Sequence, residues 1–325
     1  MQNNLLEVKH LKKYFPVTGG FLNRTVAEVH AADDVSFSIK KGEVLGLVGE
    51  SGCGKSTVGR VLLGLTPRTS GEIWFDGTET GSVPKERARD LRRRMQMVFQ
   101  DPFSSLDPRM NVSDIIAEGI LAYKLYENKS EVGDRVADLM QQCGLFPDQA
   151  YRYAHQFSGG QRQRICIARA LATDPDFIVL DEAVSALDVS IQAQIINLLK
   201  DLQEARGLTY LFISHDLNIV RFISDSVAVM YLGQIVEYGT KEQIFGAPAH
   251  PYTQALLSAA PAFTPEEKRN KQRIILTGDV PSPTDVPSGC RFAARCPYAE
   301  EACKAEAPAF ADLGDGHICR CRKHL

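Results

Sequence analysis

Gly49-Glu50-Ser51-Gly52-Cys53-Gly54-Lys55-Ser56-Thr57 carries the spacing G-x-x-x-x-G-K-[ST], and its reading decides the fold. Glycines let successive backbone N–H groups curl around an anion, and a helix starting there turns its positive end toward it. In such a loop the lysine reaches the β- and γ-phosphates of a nucleotide and the following hydroxyl binds Mg2+, tasks that fall to Lys55 and Ser56. The context fits, because the short apolar run Val44–Val48 leads into the loop and a helical stretch leaves it. A glycine-rich turn with a surface lysine is the plainer alternative, and that context weighs against it.

Further along, Phe177–Leu180 and Leu208–Ile213 are apolar runs of strand length, as expected for strands covered on both faces of a largely parallel sheet. Val35, Phe37 and Ile39 alternate with polar neighbours, as in a strand with one buried face. Between these runs the period changes to that of helices. Ser130 is expected to cap a helix turning Val132, Val136, Leu139 and Met140 inward and stopping at Gly144, and Ser113 to cap one through Ile115, Ile116 and Ile120. Ile191, Ile195, Leu198 and Leu202 form another apolar stripe, ended by Gly207. Val227–Tyr231 and Gln234–Glu237 flank Leu232-Gly233 as a late hairpin. The fold class is therefore α/β, with no internal repeat of solenoid period.

Two more stretches carry chemistry. Ile178-Val179-Leu180-Asp181-Glu182 places two acids at the end of a buried strand, where Asp181 would orient Mg2+ and Glu182 would polarise an attacking water. Ser158-Gly159-Gly160-Gln161 precedes Ile165, Ile167, Ala168 and Leu171, a second helix start with uncovered N–H donors. Each alone could be an ordinary cap or loop start; their combination is the signal.

The composition bounds the rest. Over 325 residues, 37 Lys plus Arg against 40 Asp plus Glu give a net charge of −3, which argues against a chain held mainly by nucleic-acid phosphates. The mixed run Lys85–Arg94 reads as a solvated helix face. With no apolar run of membrane-spanning length and no signal-peptide pattern in Met1–Val8, the chain is expected to be soluble and intracellular. Five of eight cysteines, Cys290, Cys296, Cys303, Cys319 and Cys321, fall in the last 36 residues, and 7 of 16 prolines lie between Pro261 and Pro308. Both shifts put a boundary near residue 260, with a loop-rich appendix beyond it. In a reducing compartment such a cysteine group points to a metal or cluster site rather than to bridges. Its spacing is not the tight C-x2-C of structural zinc, so an iron–sulfur cluster, zinc and metal-free thiols all stay open.

The ordered set of phosphate loop, Gln100 in Phe99-Gln100-Asp101-Pro102, Ser158-Gly159-Gly160-Gln161, Asp181-Glu182, Ser185-Ala186-Leu187-Asp188 and His215 resembles an ATP-binding cassette (ABC) ATPase over roughly residues 5 to 250. Within that family the chain is most similar to the ATPase subunits of bacterial dipeptide, oligopeptide and nickel importers. Leu11-Lys12-Lys13-Tyr14-Phe15-Pro16-Val17, His250-Pro251-Tyr252-Thr253 and the cysteine tail carry that likeness. The resemblance implies a P-loop NTPase fold, a RecA-like core with an antiparallel β edge and a helical subdomain at about 101–170, all within a nucleotide-binding domain at 1–255. A cysteine-bearing extension would occupy 256–325.

It also implies a mechanism. Two such domains meet head to tail and clamp two ATPs, each between one subunit's phosphate loop (Gly49, Ser51, Gly52, Cys53, Gly54, Lys55, Ser56, Thr57) and the other's Ser158, Gly159, Gly160 and Gln161. Tyr14 would stack on adenine, with Phe15 the alternative. Gln100 would contact Mg2+ and water alongside Ser56 and Asp181, Glu182 would act as general base, His215 would hold the γ-phosphate, and Asp188 would couple the two sites. The implied partners are a second ATPase subunit (a sister rather than a copy), two transmembrane permease subunits and an extracytoplasmic binding protein, at the cytoplasmic face of the inner membrane. ATP and Mg2+ are the implied cofactors. In the family's tail pattern Cys290, Cys296, Cys303 and Cys321, rather than Cys319, would hold a [4Fe–4S] cluster. One departure stands out: Ala183 replaces the family's usual proline after the general base, which is expected to free the backbone there while leaving hydrolysis intact. Transport of nickel or another small solute, and a soluble cassette ATPase acting on nucleic acid or ribosomes, are the alternatives.

Overall fold

A computed structural model describes residues 4–19, 24–261, 269, 272–279 and 281–325. Met1–Asn3, where the signal-peptide reading begins, and Pro265 of the proline-rich stretch lie outside the described residues. The chain divides into two compact units. One comprises residues 1–39, 43–81 and 214–325, the other 40–42 and 82–213.

The first unit contains two sheet regions. Strands β1 (Asn4–Gly19), β2 (Arg24–Lys40), β4 (Ser70–Phe75) and β5 (Thr78–Glu79) form one, in the order β2-β1-β4-β5, with β4 antiparallel to β1 and to β5. Val35, Phe37 and Ile39 are buried on β2, so the alternation there reports a real inner face. In the other region β3 (Val44–Val48) runs parallel to β9 (Ser226–Tyr231), and both are buried along their whole length. From β9 the sheet turns antiparallel through β10 (Gln234–Thr240). The Leu232-Gly233 turn of that hairpin takes positive φ at both residues, 42° and 81°, the geometry that suits a two-residue connection between twisted strands. The carboxy-terminal segment then adds β12 (Ile318–Cys319) against β10, and β11 (Ala311–Asp312) against β12. The appendix is thus knitted into the sheet by backbone pairing, which its loop-like sequence does not suggest.

The second unit holds a parallel sheet, β6 (Met95–Val98), β7 (Phe177–Asp181) and β8 (Thr209–Ile213), in the order β8-β7-β6. Its helices include α2 (Lys85–Arg94), α3 (Val112–Tyr123), α4 (Lys129–Gln142), α5 (Gly159–Leu171) and α6 (Val189–Arg206). Only Leu91 of α2 is buried, as a solvated face requires. Three local expectations shift. Asn111, not Ser113, caps α3, accepting the Asp114 N–H at 2.9 Å, and Asn128, not Ser130, precedes α4. Asparagine serves an N-cap as well as serine does, so one apolar pattern fits either start. The buried face of α6 is Ile195, Ile196, Leu199 and Leu202; Leu198 and Ile191 are only half-buried, Ile191 lying in the first turn with its methyl toward Gly160.

In the first unit, His250 caps α9 (Pro251–Ala259), its Nδ1 accepting the Tyr252 N–H at 3.0 Å. Burial, helped by the nearby His324, pushes the His250 imidazole from 6.5 down to about 3. The unfolded chain therefore takes up a proton below pH 6.5 that the folded chain refuses, and stability falls with pH across that window by at most about 1.4 kcal/mol per pH unit. His250→Asn keeps an acceptor at the cap but cannot titrate. Denaturant melts are expected to show it losing less stability than wild type between pH 7 and 4.

Candidate functional site

In the first unit the phosphate-type loop joins β3 to α1 (Lys55–Leu62). Its shape is set by two close backbone approaches. A Cβ at Gly49 (φ 152°) would lie 2.1 Å from the Met230 carbonyl oxygen, and one at Gly54 (φ 108°) 1.8 Å from that of Ala31. No side chain fits at either place. The buried Lys55 Nζ donates to the carbonyls of Gly49 (2.8 Å) and Glu50 (2.9 Å), so the ammonium sits in the hollow of the loop. Glu50 is anchored too, its N–H donating to the Tyr252 hydroxyl at 2.9 Å. Ser214 follows β8 and donates its N–H to Leu47 on β3 (3.3 Å), which brings the exposed His215 next in chain to the loop's own strand. Together these groups can receive a polyphosphate: a tightly curled glycine loop, a helix start and a fixed ammonium.

Tyr14 belongs to the same framework. Its ring stacks on His30, with centroids 4.1 Å apart, and its hydroxyl donates to Asp33 Oδ1 at 2.5 Å. Burial pushes the Asp33 carboxyl up, but the Tyr14 hydroxyl, Arg291 and Lys12 outweigh it and hold the carboxylate below its ordinary range. The Asp33 N–H donates to Gly233 (2.8 Å), whose own N–H donates to Cys53 of the loop (2.9 Å). Tyr14 and the loop are thereby tied through one short relay. Phe15, the other stacking candidate, lies exposed beside Lys13.

In the second unit Asp181 ends β7, almost wholly buried, and Glu182 follows with a left-handed backbone (φ 48°). For a residue with a Cβ that conformation is strained and persists only where its surroundings impose it. The Glu182 N–H donates to Ile213 (2.9 Å), and its carbonyl accepts the Ser185 N–H (3.1 Å) and hydroxyl (3.0 Å). The backbone beside Ala183 is therefore held by hydrogen bonds, without a proline. Gln100 Nε2 donates to Glu182 Oε2 at 2.9 Å, joining two residues far apart in sequence. Ser158 caps α5 in a reciprocal box, accepting the Gln161 N–H at 3.3 Å while Gln161 Oε1 accepts the Ser158 N–H at 3.0 Å. A Cβ at Gly160 would meet Ile191 at 2.6 Å, so the start of α5 lies against the start of α6, which follows the exposed Asp188.

Cys290, Cys296, Cys303 and Cys321 line one cavity of about 320 Å3, together with Phe292, Tyr298 and Lys323 among others. Cys319 is instead buried in β12. Burial, with the other cysteines adding to it, raises the thiols of Cys290, Cys296 and Cys321. Among the described residues, no group of three or more His, Cys, Asp or Glu side chains is placed to hold a metal ion. Nor is any helix among them long and apolar enough to cross a membrane.

The family model described as ABC transporter matches residues 32–185, and that described as oligopeptide/dipeptide transporter, C-terminal region, matches 236–303. The oligopeptide transport ATP-binding protein AppF of Bacillus subtilis is 50% identical over 321 residues, 98% of this chain and 97% of AppF. The chain belongs to the ATP-binding cassette family. OppF of the same organism, also an oligopeptide transport ATP-binding protein, is 53% identical over 84% of this chain and 88% of its own. Among solved structures, the ATP-binding cassette MJ0796, a dimer in a post-hydrolysis state bound to ADP and Pi, aligns with a TM-score of 0.64 and 28% identity, over 73% of this chain and 98% of that one. The fold is accordingly that of a P-loop cassette ATPase.

Several residues that shape this cassette site are invisible to motif reading. Asp33, Tyr252, Arg291 and Arg295 act through tertiary hydrogen bonds whose partners are up to 258 residues away in sequence. Tyr252 has a local signal in His250-Pro251-Tyr252-Thr253, and Arg291 and Arg295 lie in the cysteine-tail stretches Gly289-Cys290-Arg291-Phe292 and Arg295-Cys296-Pro297, which point to the cysteines and not to Asp33 or Glu50.

Proposed function

We propose that this cassette ATPase hydrolyses ATP to power the import of peptides across the bacterial inner membrane, through partner transmembrane subunits. The observation that carries this is the likeness to oligopeptide transport ATP-binding proteins over nearly the whole chain, including the importer-type carboxy-terminal region. Residues 1–255 form the nucleotide-binding domain, with 101–170 its helical part, and 256–325 the extension. Gly49–Thr57 cradles the phosphates, Tyr14 stacks on adenine, and Ser56, Asp181 and Gln100 serve Mg2+. The Gln100–Glu182 hydrogen bond supports Glu182 as general base, because it orients the carboxylate that must meet the attacking water. His215 holds the γ-phosphate. Ser158, Gly159, Gly160 and Gln161 face the nucleotide of a second ATPase subunit, with Asp188 coupling the sites, an arrangement favoured by the dimeric cassette among the structural relatives. The second subunit is a sister chain, an extracytoplasmic protein delivers the peptide, and the ATPase works at the cytoplasmic face. The net charge of −3, and the acids Glu86 and Asp90 interspersed in the solvated helix α2, weigh against nucleic acid as the partner.

The extension is suited to a [4Fe–4S] cluster. Four thiols share one cavity, and cysteine thiolates are the ligands that such clusters take. Bound there, it would supply a four-point brace for that segment.

Two outcomes follow. Glu182→Gln is expected to keep ATP affinity while phosphate release by the assembled transporter falls by about 10²–10⁴-fold; turnover equal to wild type would remove Glu182 from the mechanism. Anaerobically purified protein is expected to carry iron and absorb visible light, with Cys321→Ser losing both and Cys319→Ser keeping them. Colourless, iron-free wild-type protein would exclude the cluster.

A further inference from the structure

Two arginines of the loop Cys290-Arg291-Phe292-Ala293-Ala294-Arg295-Cys296 reach back into the nucleotide half-site, and neither lines the thiol cavity. Arg295 grips the Glu50 carboxylate with both terminal nitrogens, Nη1 to Oε2 at 2.9 Å and Nη2 to Oε1 at 3.1 Å. Glu50 is the loop residue whose carbonyl holds Lys55 and whose N–H is held by Tyr252. The arginine is steadied in turn by the Tyr231 hydroxyl (3.4 Å), while Phe292 packs against Tyr231 and Tyr252. Arg291, buried, donates to Asp33 Oδ2 and to the Leu232 carbonyl. Asp33 carries the Tyr14 hydroxyl on its other oxygen, and Leu232 precedes Gly233, which bonds Cys53. The extension also accepts the His30 N–H at Pro283 (3.0 Å), behind the ring that stacks on Tyr14.

We infer that Arg291 and Arg295 are positioning residues of the nucleotide site, Arg291 setting the adenine-stacking ring through Asp33 and Tyr14, and Arg295 setting the phosphate loop through Glu50. The inference rests on the reading of Tyr14 and Gly49–Thr57 as base and phosphate contacts. The geometry needs arginine, since a planar fork can hold both carboxylate oxygens, or a carboxylate and a carbonyl together, whereas an ammonium is a single point of charge. The extension is thereby a working part of the ATP site rather than a separate appendage.

The two arginines serve different parts of the nucleotide, so their effects separate by ligand. Calorimetry on the full chain with Mg2+ compares ATP with inorganic tripolyphosphate, which has no base. Arg291→Lys, like Tyr14→Ala, is expected to weaken ATP roughly three- to tenfold and to leave tripolyphosphate within about twofold. Arg295→Ala is expected to weaken both ligands about tenfold, and Arg295→Lys to recover part of that loss. A general folding defect would move both ligands, so the split is the signature for Arg291→Lys. For Arg295→Ala the signature is the loss on both ligands with an unchanged thermal midpoint of the nucleotide-free chain, and a lowered midpoint would assign Arg295 to stability instead. If Tyr14→Ala weakens ATP but Arg291→Lys does not, or if Arg295→Ala leaves tripolyphosphate binding intact, the inference is overturned. If Tyr14→Ala itself leaves ATP unchanged, the stacking reading falls and takes the Arg291 half with it.

Discussion

Two carbonyl oxygens, those of Ala31 and Met230, leave room only for hydrogen at Gly54 and Gly49. Much of the site depends on that contact. It forces the loop between β3 and α1 into a tight curl, and the curl creates the hollow in which Lys55 is held. A cation surrounded by backbone carbonyls is fixed in direction, so an arriving polyphosphate meets charge already aimed at it. Met230, near the end of β9, leads into the Leu232-Gly233 turn, and Ala31 on β2 lies two residues before Asp33, which accepts the Tyr14 hydroxyl. Tyr14 and the glycine loop therefore share one scaffold.

The carboxylate half is constrained differently. Glu182 sits in a left-handed conformation fixed by its backbone bonds to Ile213 and Ser185, and its side chain is turned by Gln100. The replacement of proline by Ala183 leaves this arrangement in place because hydrogen bonds, rather than ring stiffness, define the backbone. An oriented carboxylate is what the proposed general-base role asks of Glu182.

How much was legible in the sequence follows from the range of each interaction. Gly49–Thr57, Asp181-Glu182 and Ser158–Gln161 are local: spacing alone fixes what each backbone segment can present. The buried strands β3, β7 and β8 were readable for the same reason, since a short apolar run at a strand's length has few other uses. Helix starts are less sharply marked, lying at Asn111 and Asn128 where the pattern also admits Ser113 and Ser130, because several polar residues near a helix start can cap it. The extension was the hardest part. Its proline and cysteine content speaks of loops, yet β12 pairs with β10 and two of its arginines reach the nucleotide half-site. Such pairings arise from tertiary geometry and leave no period in the chain.

In the proposed mechanism the glycine loop and Lys55 hold the phosphates of ATP. Calorimetric titration of the full chain with ATP and Mg2+, beside Lys55→Ala, tests it most directly. One charge-assisted hydrogen-bonding group removed from a phosphate corresponds to about 1.5–3 kcal/mol, so the variant is expected to bind at least roughly tenfold more weakly. Equal affinity in the two proteins, or no nucleotide uptake by folded wild type, would contradict the account.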